Sequence, residues 1–195
     1  MAYSIDSSTD NCYEGTSVLI NKLNIRDEQE LSDIEMIITA AKIKQLLDAD
    51  YDGVIDAQYY CGLHKEIFGD IYEWAGSYRT ADLSKKGTKF HKADNLERAT
   101  EKLFDRLVSC EYFIHDSKEK YVSDIAEFYS DLNLLHPFRE GNGRTQRVLM
   151  TKLIERARYS IDFAKCDRDL LMIATIRAAQ GVMDQLIEFF KNEID

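Results

Sequence analysis

Along most of this chain apolar residues recur at helical intervals, and the intervals set out a row of amphipathic elements. Leu31, Ile34, Ile38, Ala41 and Leu46 follow Asp27, Glu28 and Glu30, which read as the acidic first turn of a helix with one apolar face. Tyr51-Asp52-Gly53 marks a turn, and Leu63, Ile67 and Phe68 face inward on a helix expected from Ile55 to Phe68. His64 lies beside that face, reads as a surface or core-edge residue, and is assigned no role. Ile71-Tyr72-Glu73-Trp74-Ala75-Gly76 holds the single tryptophan and closes as a packed helix end. Leu96, Ala99, Leu103, Phe104 and Leu107 predict a helix from Asp94 onward, and Tyr121, Ile125, Phe128, Tyr129 and Leu132 predict a central one. Leu170, Leu171, Ile173, Ile176, Met183, Leu186 and Ile187 predict two closing helices separated near Gly181. At the other end, Tyr13 to Ile25 reads as a turn at Gly15 followed by a short helical piece. Residues 1–11 are small and polar, a frayed leader to a folded unit over 12–195.

One stretch breaks the helical texture. Tyr78 to Ser84 and Thr88 to His91 are β-prone runs joined by Ser84-Lys85-Lys86-Gly87, so a hairpin with a basic tip is expected over about 77–92. Two strands alone gain little stability, and the open edge suits pairing with an extended segment of another protein. Arg79, Thr80, Ala81, Asp82, Lys89 and Phe90 are the residues assigned to that docking. The predicted fold is mainly α, a single helical domain with a small β-hairpin.

Composition narrows the functional classes. A chain of 195 residues with 45% apolar and 31% charged positions is ordinary for one globular domain. A formal net charge of −10 argues against a general basic surface, so no direct nucleic-acid binding is expected. Cys12, Cys61, Cys110 and Cys166 form no C-x-x-C pair and have no histidine at ligand spacing, which fits reduced thiols in a cytosol. No apolar run approaches the roughly 18 residues of a membrane span, and Met1 to Asp6 lacks the features of a secretory signal. A cytoplasmic protein without membrane contact is the expectation.

The chemistry concentrates in residues 136–147, His-Pro-Phe-Arg-Glu-Gly-Asn-Gly-Arg-Thr-Gln-Arg. Gly141-Asn142-Gly143 permits positive φ, so that successive N–H groups converge on an anion. Apolar periodicity resumes at Val148, Leu149, Leu153 and Ile154, so this nest should open a helix whose N-terminus favours phosphate. Arg144 and Arg147 fall on one face of its first turn, where two guanidinium forks can hold different phosphates. Glu140 can carry Mg²⁺, which binds through one or two carboxylates plus phosphate oxygens. His136, with an unperturbed pKa of roughly 6.5, can take a proton from an incoming hydroxyl.

This stretch resembles the Fic family signature, H-x-F-x-[D/E]-G-N-G-R-x-x-R, at every specified position. Tyr13-Glu14-Gly15-Thr16 ahead of Asn21-Lys22-Leu23 is similar to the opening of compact bacterial Fic toxins, and Trp74-Ala75-Gly76 is also common in the family. The resemblance implies a Fic-type helical domain whose flap hairpin registers a target protein. It also implies a protein adenylyltransferase that moves AMP from ATP to a Ser, Thr or Tyr hydroxyl. In that scheme His136 deprotonates the hydroxyl, Glu140 holds Mg²⁺, and Gly141, Asn142 and Gly143 with Arg144 cradle the α- and β-phosphates. Arg147 reaches the γ-phosphate, and Phe138 anchors the loop inward. A lysine in place of the second glycine marks the Doc-like kinases, so Gly143 argues for AMP transfer. Family analogy names topoisomerase subunits such as gyrase B as candidate targets. The residues leave open a transferase of another nucleotide or phosphate group, or a catalytically silent nucleotide-binding partner protein.

Fic enzymes are typically restrained by a helix carrying [S/T]-x-x-x-E-[G/N], whose glutamate pairs with the second signature arginine, here Arg147. Ser123 with Glu127 and Thr151 with Glu155 have the first spacing, but Phe128 and Arg156 follow in place of Gly or Asn. The resemblance therefore implies that the brake arrives on a separate small antitoxin, as in toxin–antitoxin pairs.

Overall fold

Four helices begin at caps that the local sequence supplies. Asp27, Asp56, Ser117 and Asp167 each accept a hydrogen bond from a backbone N–H of the first turn that follows. The computed structural model describes residues 11–85, 88–115 and 117–195. Its elements are α1 (Glu28–Asp48), α2 (Ala57–Phe68), β1 (Ser84–Lys85), β2 (Thr88–Lys89), α3 (Leu96–Ser109), α4 (Lys118–Leu135), α5 (Asn142–Arg156), α6 (Arg168–Ala178) and α7 (Asp184–Glu193). Short 3₁₀ turns at Ala93–Asn95 and Glu111–Phe113 flank α3.

The centre of the molecule is the α4–α5 pair. Tyr121, Ile125, Phe128 and Leu132 of α4 and Val148, Leu149, Leu153 and Ile154 of α5 are buried in one apolar cluster. Each such side chain stabilises the fold by about 2 kcal/mol when fully removed from water. Two polar stitches fix the pair, Tyr121 Oη to the Leu153 carbonyl at 3.1 Å and Gln146 Nε2 to the Tyr129 carbonyl at 2.7 Å. α2 packs on α5, α3 and α7 pack on α4, α6 packs on α7, and α1 lies across α2 and α5. The C-terminus of α4 and the N-terminus of α5 thereby end side by side, six residues apart in sequence. Among the described residues no helix is long and apolar enough to cross a membrane.

Several expectations are revised. α1 buries only Leu31 and Thr39 and turns Ala41 outward, because it meets the rest along a narrow strip and not a broad face. Among the described residues no helix precedes it: Tyr13 to Leu19 is a tight turn closed by a Cys12–Leu19 bridge, and the buried Asn21 side chain holds the following bend through Leu19 and Ile25. Ile71 to Gly76 forms irregular turns, not a helix end. The hairpin ladder is confined to Ser84–Lys89 and Lys85–Thr88. The rest of the β-prone run pairs elsewhere, with the Arg79 N–H on the Pro137 carbonyl (2.9 Å) and the His91 N–H on the Leu134 carbonyl (3.0 Å). The leader up to residue 10 and the hairpin tip at Lys86 and Gly87 lie outside the described residues.

The break between α6 and α7 falls where the sequence places it. Gly181 has φ +89°, with no atom within 4 Å of where a Cβ would stand. Gly181→Ala should therefore lose only the conformational term, about 1–2 kcal/mol in urea unfolding.

Candidate active site

His136 ends α4 in the left-handed conformation, with φ 45° and ψ 57°. Its N–H still donates to the Leu132 carbonyl at 3.2 Å, but Pro137 follows and has no N–H with which to continue the helix. A non-glycine residue held there costs about 1–2 kcal/mol, so the surroundings must hold it. The imidazole is buried and stacks on Phe90 with ring centroids 3.8 Å apart and planes 6° from parallel.

The loop from Phe138 to Gly141 is pinned from both sides. Phe138 is fully buried, as the resemblance implies for an anchor. Its N–H donates to Asn142 Oδ1 (2.9 Å) and its carbonyl accepts from Asn142 Nδ2 (2.7 Å). Both ends of the Asn142 amide thus bond the loop, so its side chain braces it. His64, which sequence reasoning left without a role, is the second brace. Its ring lies 3.9 Å from that of Phe138 and 4.7 Å from that of Phe68. Nδ1 accepts the Gly76 N–H at 2.8 Å, so Nε2 carries the proton and donates to the Glu140 carbonyl at 2.9 Å. Burial pushes its pKa down to about 4, aided by the Arg144 charge and opposed by the bond to the Glu140 carbonyl. The signal that could have found it is its position one helical turn before Phe68, facing the Trp74-Ala75-Gly76 turn.

Of the two glycines of the expected nest, one alone takes positive φ. Gly141 has φ +79°, and a Cβ there would stand 2.3 Å from the Phe68 ring. Gly143 is instead an ordinary helical residue, as is Asn142, and the two open α5. Their N–H groups have no intrahelical acceptor four residues back, so the site is a helix N-terminus. Gly143 faces the cavity, and a Cβ on it would approach Arg147 Nη1 to 3.3 Å.

The two signature arginines do not share a task. Arg147 lines a cavity of about 240 Å³ together with His136, Gly143 and Gln146. Arg144 turns to α1, donating to Glu35 Oε1 (2.5 Å) and Thr39 Oγ1 (3.2 Å) and lying over the Phe68 ring. Tyr72 Oη donates to the other oxygen of Glu35. Burial lowers the Arg147 pKa, and the charges of Arg168 and Arg144 add to this against an opposing contribution from Tyr129. Arg168, absent from the sequence reading, also lines the cavity. Its clue is a cation in the first turn of α6, directly after the Asp167 cap, where the helix dipole disfavours positive charge. Glu140 sits at the loop's edge, its Oε1 accepting the Gly141 N–H at 2.9 Å and lying 3.7 Å from Arg144 Nη2. The remaining wall is largely apolar: Leu171, Met172 and Ile176 of α6, with Phe163 before it and Thr88 and Phe90 from the hairpin.

The six residues assigned to docking are divided by the fold. Thr80, Asp82 and Lys89 are exposed. Arg79 and Ala81 are buried, because the run carrying them is bonded to the end of α4 and turns inward. Phe90 is half-buried against His136.

A model of the Fic/DOC family matches residues 54–154. The chain is similar to "Probable protein adenylyltransferase y4lH" of Sinorhizobium fredii, 36% identical over 171 residues that cover 87% of this chain and 88% of that protein. It is 29% identical to the protein adenylyltransferase VbhT of Bartonella schoenbuchensis over 92% of this chain and 37% of the longer relative. Among solved structures, the N-terminal Fic domain of a Bep effector from Bartonella quintana, with bound ADP, superposes with a TM-score of 0.86 at 27% identity, covering 94% of this chain and 93% of that one. BepC from Bartonella tribocorum, with bound AMPPNP, shares the fold with a TM-score of 0.86 at 24% identity, over 95% and 96% of the two chains.

The buried, neutral His64 links stability to pH. Its folded pKa lies below the unfolded value, so the unfolded chain binds the proton more readily and native stability falls as pH drops from about 6.5 towards 4. The loss from this residue should total about 3 kcal/mol and cease below that range. His64→Phe keeps the ring stack but should remove that component and lower stability at neutral pH by about 2–4 kcal/mol, since two buried backbone groups lose their partner. Urea denaturation of both proteins between pH 4 and 7 checks this.

Proposed function

The chain belongs to the Fic/DOC family and is a protein adenylyltransferase, and from that premise we propose that its cavity transfers AMP from ATP to a Ser, Thr or Tyr hydroxyl of another protein. The observation that carries the reading is the meeting of His136, the free N-terminus of α5 and Arg147 around one cavity. The hydroxyl oxygen attacks the α-phosphorus, the bond to the bridging oxygen of the β-phosphate breaks, pyrophosphate leaves, and His136 takes the hydroxyl proton. The amides of Asn142 and Gly143 face the α- and β-phosphates, and Arg147 with Arg168 receives the outer phosphates. The apolar wall of Leu171, Met172 and Ile176 suits the flat face of a purine. That the Bartonella quintana relative holds ADP supports a nucleotide in this position.

Mg²⁺ belongs to this reading through Glu140. Among the described residues no group of three or more His, Cys, Asp or Glu could cage a metal. A single carboxylate at the edge of a phosphate site fits an ion that draws its other ligands from phosphate oxygens and water. When bound, the ion would neutralise phosphate charge; the protein's part is to aim Glu140, whose carbonyl is fixed by His64.

We further assign the chain to a toxin–antitoxin pair acting in the cytoplasm, with topoisomerase subunits such as gyrase B as candidate targets. Its support is the similarity to compact Fic toxins at Tyr13 to Leu23 and the state of Arg147, which has no ion pair among the described residues and is open to an incoming glutamate. Leu170 and Ile173, 46% and 47% exposed, flank the cavity-lining face of α6 and offer such a partner apolar surface.

Incubation with labelled ATP, Mg²⁺ and a bacterial lysate should label protein, and mass spectrometry should find an added AMP and not a phosphate or another nucleotide. His136→Ala should reduce labelling by about a hundredfold or more; labelling that survives it removes His136 as the base. Arg147→Ala should weaken ATP use and also blunt inhibition by a co-expressed, neighbour-encoded antitoxin. Full inhibition of that variant would disprove the pairing.

A further inference from the structure

The four carbonyls around the catalytic histidine are all bonded by the roots of the hairpin. Leu134 accepts the His91 N–H (3.0 Å), and Pro137 accepts the Arg79 N–H (2.9 Å). His136 accepts Arg79 Nε (2.8 Å), and Leu135 accepts Arg79 Nη2 (3.4 Å). The same guanidinium spans the two arms of the hairpin, donating through Nη1 to the Ala81 carbonyl (2.6 Å) and through Nη2 to the His91 carbonyl (2.5 Å).

The chain has a physical reason to need this. A helix leaves its last carbonyls without intrahelical donors, and the usual remedy is an N–H from the residues just beyond. Here Pro137 has none, and the next N–H, that of Phe138, is given to Asn142. Capping must come from another part of the chain, and Arg79, 4% exposed, supplies it from the hairpin root. A guanidinium suits the post, since its planar fork serves several acceptors and its charge faces the negative end of the α4 dipole.

We propose that Arg79 is a positioning residue of the transfer reaction, clamping both arms of the hairpin to the backbone of His136 so that a target segment on the hairpin is held in register with the imidazole. The inference rests on the transferase reading and deepens it, assigning register to a buried side chain and not to the exposed edge. The hairpin is then a rigid extension of the end of α4. Phe90, on the clamped arm, stacks on the His136 ring and carries the same register to the side chain. The clamp touches neither the α5 N-terminus nor Arg147, and it meets the nucleotide cavity only through the wall that His136, Thr88 and Phe90 supply.

Arg79→Met and Arg79→Lys should bind Mg²⁺–AMPPNP, measured by calorimetry, within about threefold of wild type. Transfer of label from ATP to lysate protein should fall about tenfold to a hundredfold in Arg79→Met, the loss expected of misplaced reacting groups, and part should return in Arg79→Lys. Transfer at the wild-type rate, or binding that falls in parallel with transfer, overturns the proposal. Hydrogen exchange on the unaltered protein covers the case in which the variants do not fold. The amides of Arg79 and His91 should exchange within about tenfold of that of His136; exchange at the rate of open chain overturns the clamp. A wild-type protein that labels nothing defeats the transferase reading instead, and exchange alone then decides whether the clamp exists.

Discussion

Two helix ends of opposite polarity meet at one loop, and the rest of the structure depends on holding them together. α4 brings a row of carbonyls and the negative end of its dipole; α5 brings free amides and the positive end. The five residues between His136 and Asn142 cannot hold that geometry alone, since they include a proline without a donor and a glycine at positive φ. The loop is instead a tertiary object. The Asn142 side chain ties its two ends, His64 and Phe138 stack beneath it, and the hairpin root caps it from above.

That arrangement explains how an acidic protein presents a site for a polyanion. Net charge describes the whole surface, whereas the cavity is set by the α5 amides and by Arg147 and Arg168 at close range. Arg144 shows the opposite solution to the same problem. Its charge is consumed by Glu35, with Glu140 nearby, and it ties α1 to the loop and not to the cavity. A partly buried pair of this kind contributes little net stability but fixes where each partner points. Here it fixes the helix α1 beside the loop that carries Glu140.

The hairpin gains its meaning from the same junction. As a two-stranded ladder of two residue pairs it could not stand alone. Bonded through both roots to the end of α4, it becomes part of the wall that contains His136, and Phe90 closes that wall over the imidazole. Thr80, Asp82 and Lys89 remain outside, where another chain can reach them.

The sequence by itself determined the long helices α1 to α7, because apolar periodicity and caps such as Asp27, Asp56 and Asp167 are local signals, but it misread as helical the turns after Gly15 and at Ile71 to Gly76, whose shape depends on contacts outside them. It also singled out residues 136–147, which combine types that no core requires, and the fold brings His136, Gly143 and Arg147 of that stretch around one cavity. The division of labour inside that stretch was decided only in three dimensions. Arg144 and Arg147 are chemically alike, and it is the presence of Glu35 on α1 that takes one from the cavity. His64 and Arg79 looked unremarkable or outward-facing because their partners are backbone carbonyls and amides contributed by distant segments. Such groups are the same at every position of every sequence, and only the folded chain says which of them lie within reach.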